Sequence, residues 1–170
     1  MKKKTLQKMY KITATISVIV LLLDQIIKGV INNYIGLNET VTVIPKFFYL
    51  TNIENAGAAW GILPNKTNFL IIFTVLALVL LYEYIRLFKK SNKNALIFGL
   101  LIGGIAGNLV DRLFAGYVRD FIGFTIFKYN FPVFNISDIC IVIGAILLII
   151  AILKGEDKSE VRSKSTTAKK

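Results

Sequence analysis

Two aspartates, Asp120 and Asp138, are the side chains of this sequence with the clearest capacity for chemistry. They flank a short apolar and aromatic segment that other features of the chain predict to lie at the outer face of a membrane. An ionised carboxylate near hydrocarbon costs several kcal/mol unless it has a partner or a task, so two that converge there indicate a functional site. The chain has no histidine and one cysteine, Cys140, which excludes Ser-His and Cys-His nucleophile systems and His-ligated metal sites within it. Paired carboxylates are the most capable catalytic groups that remain.

The composition is that of an integral membrane protein. Of 170 residues, 55% are hydrophobic, and the mean hydropathy is +0.63. The net charge of +11 does not indicate a nucleic-acid partner, because most of the 21 basic residues are clustered in three segments. These residues are Lys2, Lys3, Lys4, Lys8, Lys11, Arg86, Lys89, Lys90, Lys93, Lys154, Lys158, Arg162, Lys164, Lys169 and Lys170. Clustering in alternate connections is the positive-inside pattern, so we expect these segments in the cytoplasm, next to anionic lipid.

Four apolar segments are long enough to cross about 30 Å of hydrocarbon as helices. They cover residues 12–31, 69–88, 95–113 and 136–153. An even number of spans puts both termini in the cytoplasm, which agrees with the basic-residue pattern. The sequence predicts a single membrane-embedded domain over residues 1–153, with outer connections at 32–68 and 114–135, and a disordered basic cytoplasmic tail at 154–170.

The two outer connections differ in pattern. In the first, residues 41–44 and 47–53 are rich in β-branched and aromatic residues and are separated by Pro45, which predicts two short strands. Trp60 follows in an apolar stretch and suits an interfacial position. The second connection is aromatic and predicts an interfacial loop or short helix, with Asp120 in the loop. The expected fold class is an all-α integral membrane protein of four transmembrane helices with a small extracytoplasmic β element.

Polar residues also lie within the predicted spans. Asp24 and Lys28, at i,i+4 in the first span, are expected to form an ion pair that lowers the cost of insertion. Asn108, Asp111 and Arg112 fall at i, i+3 and i+4, which places them on one face near the outer end of the third span. Asp111 beside Arg112 predicts a second ion pair, and Arg112 can also orient another carboxylate or a carbonyl.

Each of the two aspartates also has a simpler interpretation. Asp120 taken alone is a solvated turn residue, and Asp138 taken alone is a capping acid at the start of the fourth span, where Asn135 or Ser137 can cap. Position favours a site instead. The third span ends outside and the fourth begins outside, so their connection folds back and brings Asp120 close to Asp138. Capping alone does not need so many polar side chains at one depth.

Five segments, taken together and in order, resemble the bacterial prolipoprotein signal peptidases of the signal peptidase II family. They read DQIIK at 24–28, NAGAAW at 55–60, GNLVDR at 107–112, VRDF at 118–121 and FNISD at 134–138. Trp60 stands where the family more often has phenylalanine, and Ser137 where it often has alanine. The resemblance places the catalytic aspartates at Asp120 and Asp138. It places catalytic support at Asn108, Asp111, Arg112 and Asn135, and substrate binding at Asn55, Gly57, Trp60, Asp24 and Lys28.

The resemblance implies an aspartyl endopeptidase in the bacterial cytoplasmic membrane, with its active site at the extracytoplasmic face. Its substrate would be a prolipoprotein whose cysteine already carries diacylglyceryl, cut just before that cysteine. Two close carboxylates supply a mechanism, because like charges share a proton: the ionised carboxylate takes a proton from water while the protonated one donates to the scissile carbonyl. No metal, cofactor or nucleic acid is expected to take part, and the enzyme is expected to be a monomer.

Two other classes of function compete with this hypothesis. A small four-span transporter or proton channel would use Asp24, Asp111 and Asp138 as a relay, which needs polar groups spaced through the membrane. The inner halves of the four spans are almost wholly apolar. A non-catalytic assembly subunit would explain Gly103 and Gly107, whose spacing permits close helix approach, but not the carboxylate pair.

Overall fold

The computed structural model describes residues 2–58 and 62–157. Four long helices account for most of this chain: α1 is Lys2–Tyr34, α2 is Thr67–Tyr84, α3 is Asn92–Phe114 and α4 is Ile136–Leu153. A short 3-10 turn, Ile85–Leu87, continues α2. All four helices are long and apolar enough to cross a membrane, which confirms the predicted number of spans. Trp60 and the tail beyond residue 157 lie outside the described residues.

The three basic segments lie next to helix ends that pack together at one end of the bundle. Met9 of α1, Ile85 and Phe88 after α2, Ala95 of α3 and Ala151 of α4 pack in one apolar cluster. The four helices therefore run in alternating directions. This arrangement brings the basic connections to a common end, as the positive-inside pattern requires.

Glu156, just after α4, fastens the same end of the bundle. Its carbonyl oxygen accepts a hydrogen bond from the Lys89 N–H at 2.8 Å, and its carboxylate pairs with Lys93 Nζ at 3.1 Å. These contacts join the end of α4 to the connection between α2 and α3.

Helix α3 lies between α1 and α4 and is the most buried of the four. A Cβ atom at Gly103 would lie 2.8 Å from the Ser17 carbonyl oxygen of α1, and one at Gly104 would lie 2.6 Å from the Ser137 carbonyl oxygen of α4. Both distances are shorter than a methyl group tolerates, so the close packing requires glycine at these positions. Gly103, on the small-residue face found in the sequence, is therefore used for packing within this chain.

A four-stranded antiparallel sheet lies at the opposite end of the bundle, beyond the last residues of α1 and α3. Its strands are β1, Thr40–Ile44; β2, Phe48–Asn55; β3, Val118–Ile126; and β4, Tyr129–Asn130, in the order β1-β2-β3-β4. The two strands predicted in the first outer connection are confirmed as β1 and β2.

The second outer connection differs from the prediction, because it forms β3 and β4 where an interfacial loop or short helix was expected. Asp120 accordingly lies on a strand, opposite Ile53 of β2, and Val118 lies opposite Asn55. The local sequence does not reveal this strand, since strand formation depends on packing against a partner and the partner here is remote in the chain. The sheet is thus larger than predicted, and it carries one of the two aspartates.

Candidate active site

Asp120 is held in the interior at the sheet end of the bundle, where it is 3% exposed. Its Oδ1 accepts a hydrogen bond from Asn135 Nδ2 at 2.6 Å, and its Oδ2 accepts one from Asn55 Nδ2 at 2.9 Å. Asn135 immediately precedes α4, Asn55 ends β2, and Asp120 itself belongs to β3. Three separate elements therefore fix the position of this carboxyl group.

The environment of Asp120 changes its acidity. Burial raises the pKa of its carboxyl group from the ordinary 3.8 to about 7. The hydrogen bond from Asn55 opposes this rise, whereas the negative charge of Asp138 adds to it. A carboxyl group that titrates near neutrality can either hold a proton or release it, which is the property that acid-base chemistry needs.

Asp138 lies in the first turn of α4 and takes part in its cap. Asn135 is the N-cap residue: its Oδ1 accepts a hydrogen bond from the Asp138 N–H at 3.0 Å, and its own N–H donates to Asp138 Oδ2 at 3.2 Å. The other carboxylate oxygen, Oδ1, accepts a hydrogen bond from Asn108 Nδ2 at 2.8 Å. The capping interpretation is therefore correct for one oxygen, and the second oxygen faces the polar cluster.

The two asparagines between the aspartates have fixed amide orientations. Because Asn135 Oδ1 accepts the capping bond, its Nδ2 is turned toward Asp120 and toward Asn108 Oδ1, which it meets at 3.1 Å. Asn108 Oδ1 also accepts from Lys28 Nζ at 3.2 Å, so Asn108 Nδ2 is turned toward Asp138. A flip of either amide would set donor against donor. Each aspartate thus receives an N–H donor whose direction the surrounding bonds determine.

Lys28 lies at the centre of a buried ion cluster behind this pair. Its Nζ is 2.7 Å from Asp24 Oδ2 and 3.0 Å from Asp111 Oδ2, and all three side chains are 0% exposed. The predicted pair of Asp24 and Lys28 is therefore present. Asp24 Oδ1 also accepts the Ser137 N–H at 2.9 Å, which ties the first turn of α4 to α1. The cluster holds together the helices that carry Asn108 and Asp138.

The predicted ion pair between Asp111 and Arg112 is wrong. Asp111 pairs instead with Lys28 and with Arg119, whose Nη2 is 2.5 Å from Asp111 Oδ1. Neighbouring residues on a helix point in different directions, about 100° apart, so Asp111 turns toward α1 while Arg112 turns away. Arg112 donates to the carbonyl oxygens of Gly57 at 3.1 Å and Asn108 at 3.5 Å.

Arg112 and Asn55 together shape the segment that follows β2. Asn55 Oδ1 accepts the Gly57 N–H at 2.9 Å, and the Gly57 carbonyl oxygen accepts from Arg112 as described above. The backbone around Gly57 is therefore held between β2 and α3, directly beside Asp120. Trp60, which the resemblance assigns to substrate binding, follows this segment and lies outside the described residues.

A cavity of about 520 Å³ opens in front of the two aspartates. Its polar wall consists of Asn55, Asn108, Arg112, Asp120 and Asp138, and its apolar wall of Ala58, Val118, Phe131, Pro132, Val133, Phe134, Ile139, Ile141, Val142 and Ile143. Val142 and Ile143 are 56% and 46% exposed, so the apolar wall continues onto the surface of α4 that meets hydrocarbon. In the described part of the chain, Asp24, Lys28, Asp111 and Gly57 do not line this cavity.

Two residues of the polar cluster were not singled out from the sequence. Gln25 Nε2 donates to Asp111 Oδ1 at 3.1 Å and to the Gly107 carbonyl oxygen at 3.2 Å, and Arg119 Nη2 donates to Gln25 Oε1 at 2.7 Å. Both lie inside segments that carry the family resemblance. An amide or a cation beside an aspartate forms no pattern of its own, and only the folded chain brings these side chains to Asp111.

The arrangement does not favour the proton-relay alternative. Asp24 and Asp111 both contact Lys28, and Asp138 is joined to the same lysine through Asn108. The three acids of the supposed relay therefore lie in one cluster at one end of the bundle. A relay across the membrane requires groups that succeed one another along the membrane normal.

Comparisons with known proteins identify the family of this chain. The model of the family described as Signal peptidase (SPase) II matches residues 16–154. A Lipoprotein signal peptidase of Staphylococcus carnosus is 43% identical over 151 residues, covering 88% of this chain and 95% of the relative. A Lipoprotein signal peptidase of Staphylococcus haemolyticus is 38% identical over 158 residues, covering 91% of this chain and 100% of the relative.

Two solved structures of bacterial membrane enzymes, both obtained by the in meso method, share the fold. One is 40% identical with a TM-score of 0.75 and covers 84% of this chain and 92% of its own. The other is 36% identical with a TM-score of 0.72, and the match covers 87% of this chain and 92% of the chain of that structure. With the family model matching nearly the whole membrane-embedded region, this chain belongs to the signal peptidase II family and is a membrane peptidase.

Proposed function

We propose that this protein removes signal peptides from prolipoproteins, cutting just before a diacylglyceryl-modified cysteine with water activated between Asp120 and Asp138. The observation that carries the proposal is the shared cavity: both carboxyl groups line it, and Asn135 is hydrogen-bonded to each of them. Both Staphylococcus relatives are named Lipoprotein signal peptidase, which supports prolipoproteins as the class of substrate.

The two carboxyl groups take different parts in the reaction. Asp120, with its pKa near 7, holds the proton in the resting enzyme. We assign the role of base to Asp138, because its carboxylate lies at the positive end of the α4 dipole and accepts N–H groups from Asn108 and Asn135. One acid and one base are then available at the same pH, which is the requirement for an aspartyl mechanism.

The chemical steps follow from this assignment. Asp138 takes a proton from water as the water oxygen attacks the scissile carbonyl carbon, and Asp120 gives its proton to the carbonyl oxygen. The tetrahedral intermediate collapses, the C–N bond breaks, and the departing amine takes the proton that Asp138 had accepted. The hydroxyl proton of the intermediate returns to Asp120, so the pair regains its starting state.

The cavity walls fit a lipid-modified peptide. The polar wall would receive the peptide backbone, with Arg112 and Asn55 positioned to orient it, and the exposed apolar flank of α4 would let acyl chains remain in hydrocarbon. Asp24, Lys28 and Asp111 support the site without touching the substrate, since their side chains are buried and, in the described part of the chain, do not line the cavity. Because the basic clusters lie at the other end of the bundle, the site faces the extracytoplasmic side, with anionic lipid at the cytoplasmic face.

The proposal is tested with purified protein and a prolipoprotein prepared with and without diacylglyceryl on its cysteine. We expect cleavage of the modified form only, with the new N-terminus at the modified cysteine by mass spectrometry, and the same rate in the presence of a metal chelator. Cleavage of both forms at equal rates would contradict the assigned substrate class. Loss of activity with the chelator would contradict the aspartyl mechanism.

The shared proton predicts a pH dependence. Cleavage is expected to fall as the pH rises above about 7, because Asp120 then loses the proton that it must donate. Asn55→Ala removes a hydrogen bond that lowers the pKa of Asp120, so this alkaline limb should move to higher pH. Values of kcat/KM determined across the pH range measure both effects. An alkaline limb that stays in place in Asn55→Ala would show that another group is titrating.

A further inference from the structure

Arg119 immediately precedes Asp120 on β3, and its side chain points to the opposite face of the strand. Its Nη2 and Nε contact Asp111 Oδ1 at 2.5 and 3.2 Å, and its backbone N–H donates to Asp111 Oδ2 at 3.0 Å. The same Nη2 donates to Gln25 Oε1 at 2.7 Å. Both the main chain and the side chain of Arg119 are therefore bound to the transmembrane helices α3 and α1.

The sheet holds β3 less regularly beyond Asp120 than before it. The pairing of β2 with β3 is regular from Asn55 to Ile53, then shifts before Leu50, so an irregularity lies directly beside Asp120. Such bulges interrupt the ladder of hydrogen bonds and let a strand bend. The contacts of Arg119 lie on the other side of Asp120 from this irregularity and supply a second attachment.

Charge balance also favours this attachment. Asp24 and Asp111 are two buried carboxylates, and Lys28 and Arg119 are the two cations in contact with them. Four charges that neutralise one another are held together, because the departure of one partner would leave a buried opposite charge uncompensated. The position of β3 is thus coupled to the buried ion cluster between α1 and α3.

We propose that Arg119 is a positioning residue, which clamps β3 to Asp111 and Gln25 so that Asp120 meets both Asn55 and Asn135. The inference rests on the proposed function and adds a residue that acts through Asp120. Arg119 is not part of the cavity wall in the described chain, and its guanidinium is bonded to Asp111 and Gln25. Its effect reaches the reaction only through the geometry of the neighbouring carboxyl group.

The test uses Arg119→Met in the full-length protein, assayed on diacylglyceryl-modified prolipoprotein. Misplacement of a catalytic group by an ångström costs up to about 100-fold in rate, so kcat should fall by about 10- to 100-fold while KM changes little. The alkaline limb of the pH profile should move to higher pH, because weaker bonds from Asn55 and Asn135 no longer oppose the raised pKa of Asp120. The charged groups that act on Asp120 from the other elements, Asp138, Lys28 and Arg112, are unchanged in this variant.

Two further variants make the result decisive. Lys128→Met removes an exposed cation from the turn between β3 and β4 and should behave as wild type. Gln25→Leu removes one of the bonds to Arg119 and should shift kcat and the alkaline limb in the same direction by a smaller amount. If Arg119→Met fails to fold, Gln25→Leu decides the question.

Each outcome separates this inference from the proposed function. If wild-type protein does not cleave the substrate, the proposed function fails. If wild type cleaves and Arg119→Met keeps the wild-type kcat, only the clamp is refuted. A loss of activity that follows the loss of folded protein, with the pH limb unmoved, would also refute the clamp, because it is the result of a purely structural role.

Discussion

Asp120→Asn and Asp138→Asn are each expected to yield a folded, membrane-inserted protein that cuts prolipoprotein at least about 1,000-fold more slowly than wild type. Removal of a general acid or base typically costs 10²- to 10⁴-fold, and the proposed mechanism gives both roles to this pair. Asparagine keeps the size of the side chain but can neither accept the proton from water nor donate one to the carbonyl. Single-turnover cleavage by purified variants measures the loss, and thermal unfolding in detergent checks the fold.

Glu39→Gln is the matched control for these two substitutions. Glu39 lies in the first outer connection, immediately before β1, and its exposed carboxylate accepts the Gly36 N–H at 3.1 Å. The same loss of charge there should leave cleavage unchanged. If either aspartate variant retains cleavage within tenfold of wild type, the pair does not carry the chemistry.

Lys28→Met is expected to produce the largest loss of stability. The substitution leaves Asp24 and Asp111 buried without their common cation, and breaking a buried pair in this way costs about 3–5 kcal/mol. The free energy of unfolding in detergent should fall by that amount, or the protein should fail to accumulate. Lys11→Met, an exposed position on the same helix, should have little effect.

A second substitution distinguishes loss of charge balance from loss of packing. In Lys28→Met, Asp111 keeps its ion pair with Arg119 while Asp24 loses its cation. The additional change Asp24→Asn removes that uncompensated carboxylate, so the double variant should be more stable than Lys28→Met alone. If the two losses simply add, charge balance is not the source of the effect.

The membrane-spanning part of the fold was predictable because hydrocarbon imposes simple demands on sequence. Helices must be long and apolar, and basic residues collect on one side, so the number of spans and the pairing of Asp24 with Lys28 could be inferred from spacing alone. The first and last residues of the helices were less predictable. α1 begins at Lys2, well before the predicted span, since lysine-rich sequence also forms helix outside the hydrocarbon.

The sheet and its consequences were only partly predictable. Strands β1 and β2 are close in sequence and have clear β-branched patterns, but β3 pairs with a segment far from it in the chain. For that reason the sequence predicts Asp120 in a loop, and no local pattern indicates a role for Arg119. Asp111 was paired with its sequence neighbour Arg112, although the helix directs these two side chains to different partners.

Asn135 and Asp138 illustrate how one set of residues can satisfy two interpretations. The sequence indicated either a helix cap or a catalytic group, and the structure has the cap in full. The cap also orients the Asn135 amide toward Asp120 and leaves one oxygen of Asp138 to face Asn108. The helix cap therefore fixes the side-chain orientations on which the proposed reaction depends.

In the proposed mechanism the pair holds a single proton, carried by Asp120, near neutral pH. Infrared spectroscopy of protein with isotope-labelled aspartate detects a protonated carboxyl group directly. Just below pH 7 we predict one protonated aspartate, which disappears as the pH rises above that value and is absent in Asp120→Asn. No protonated aspartate in the wild-type protein, or an unchanged signal in Asp120→Asn, would contradict the account.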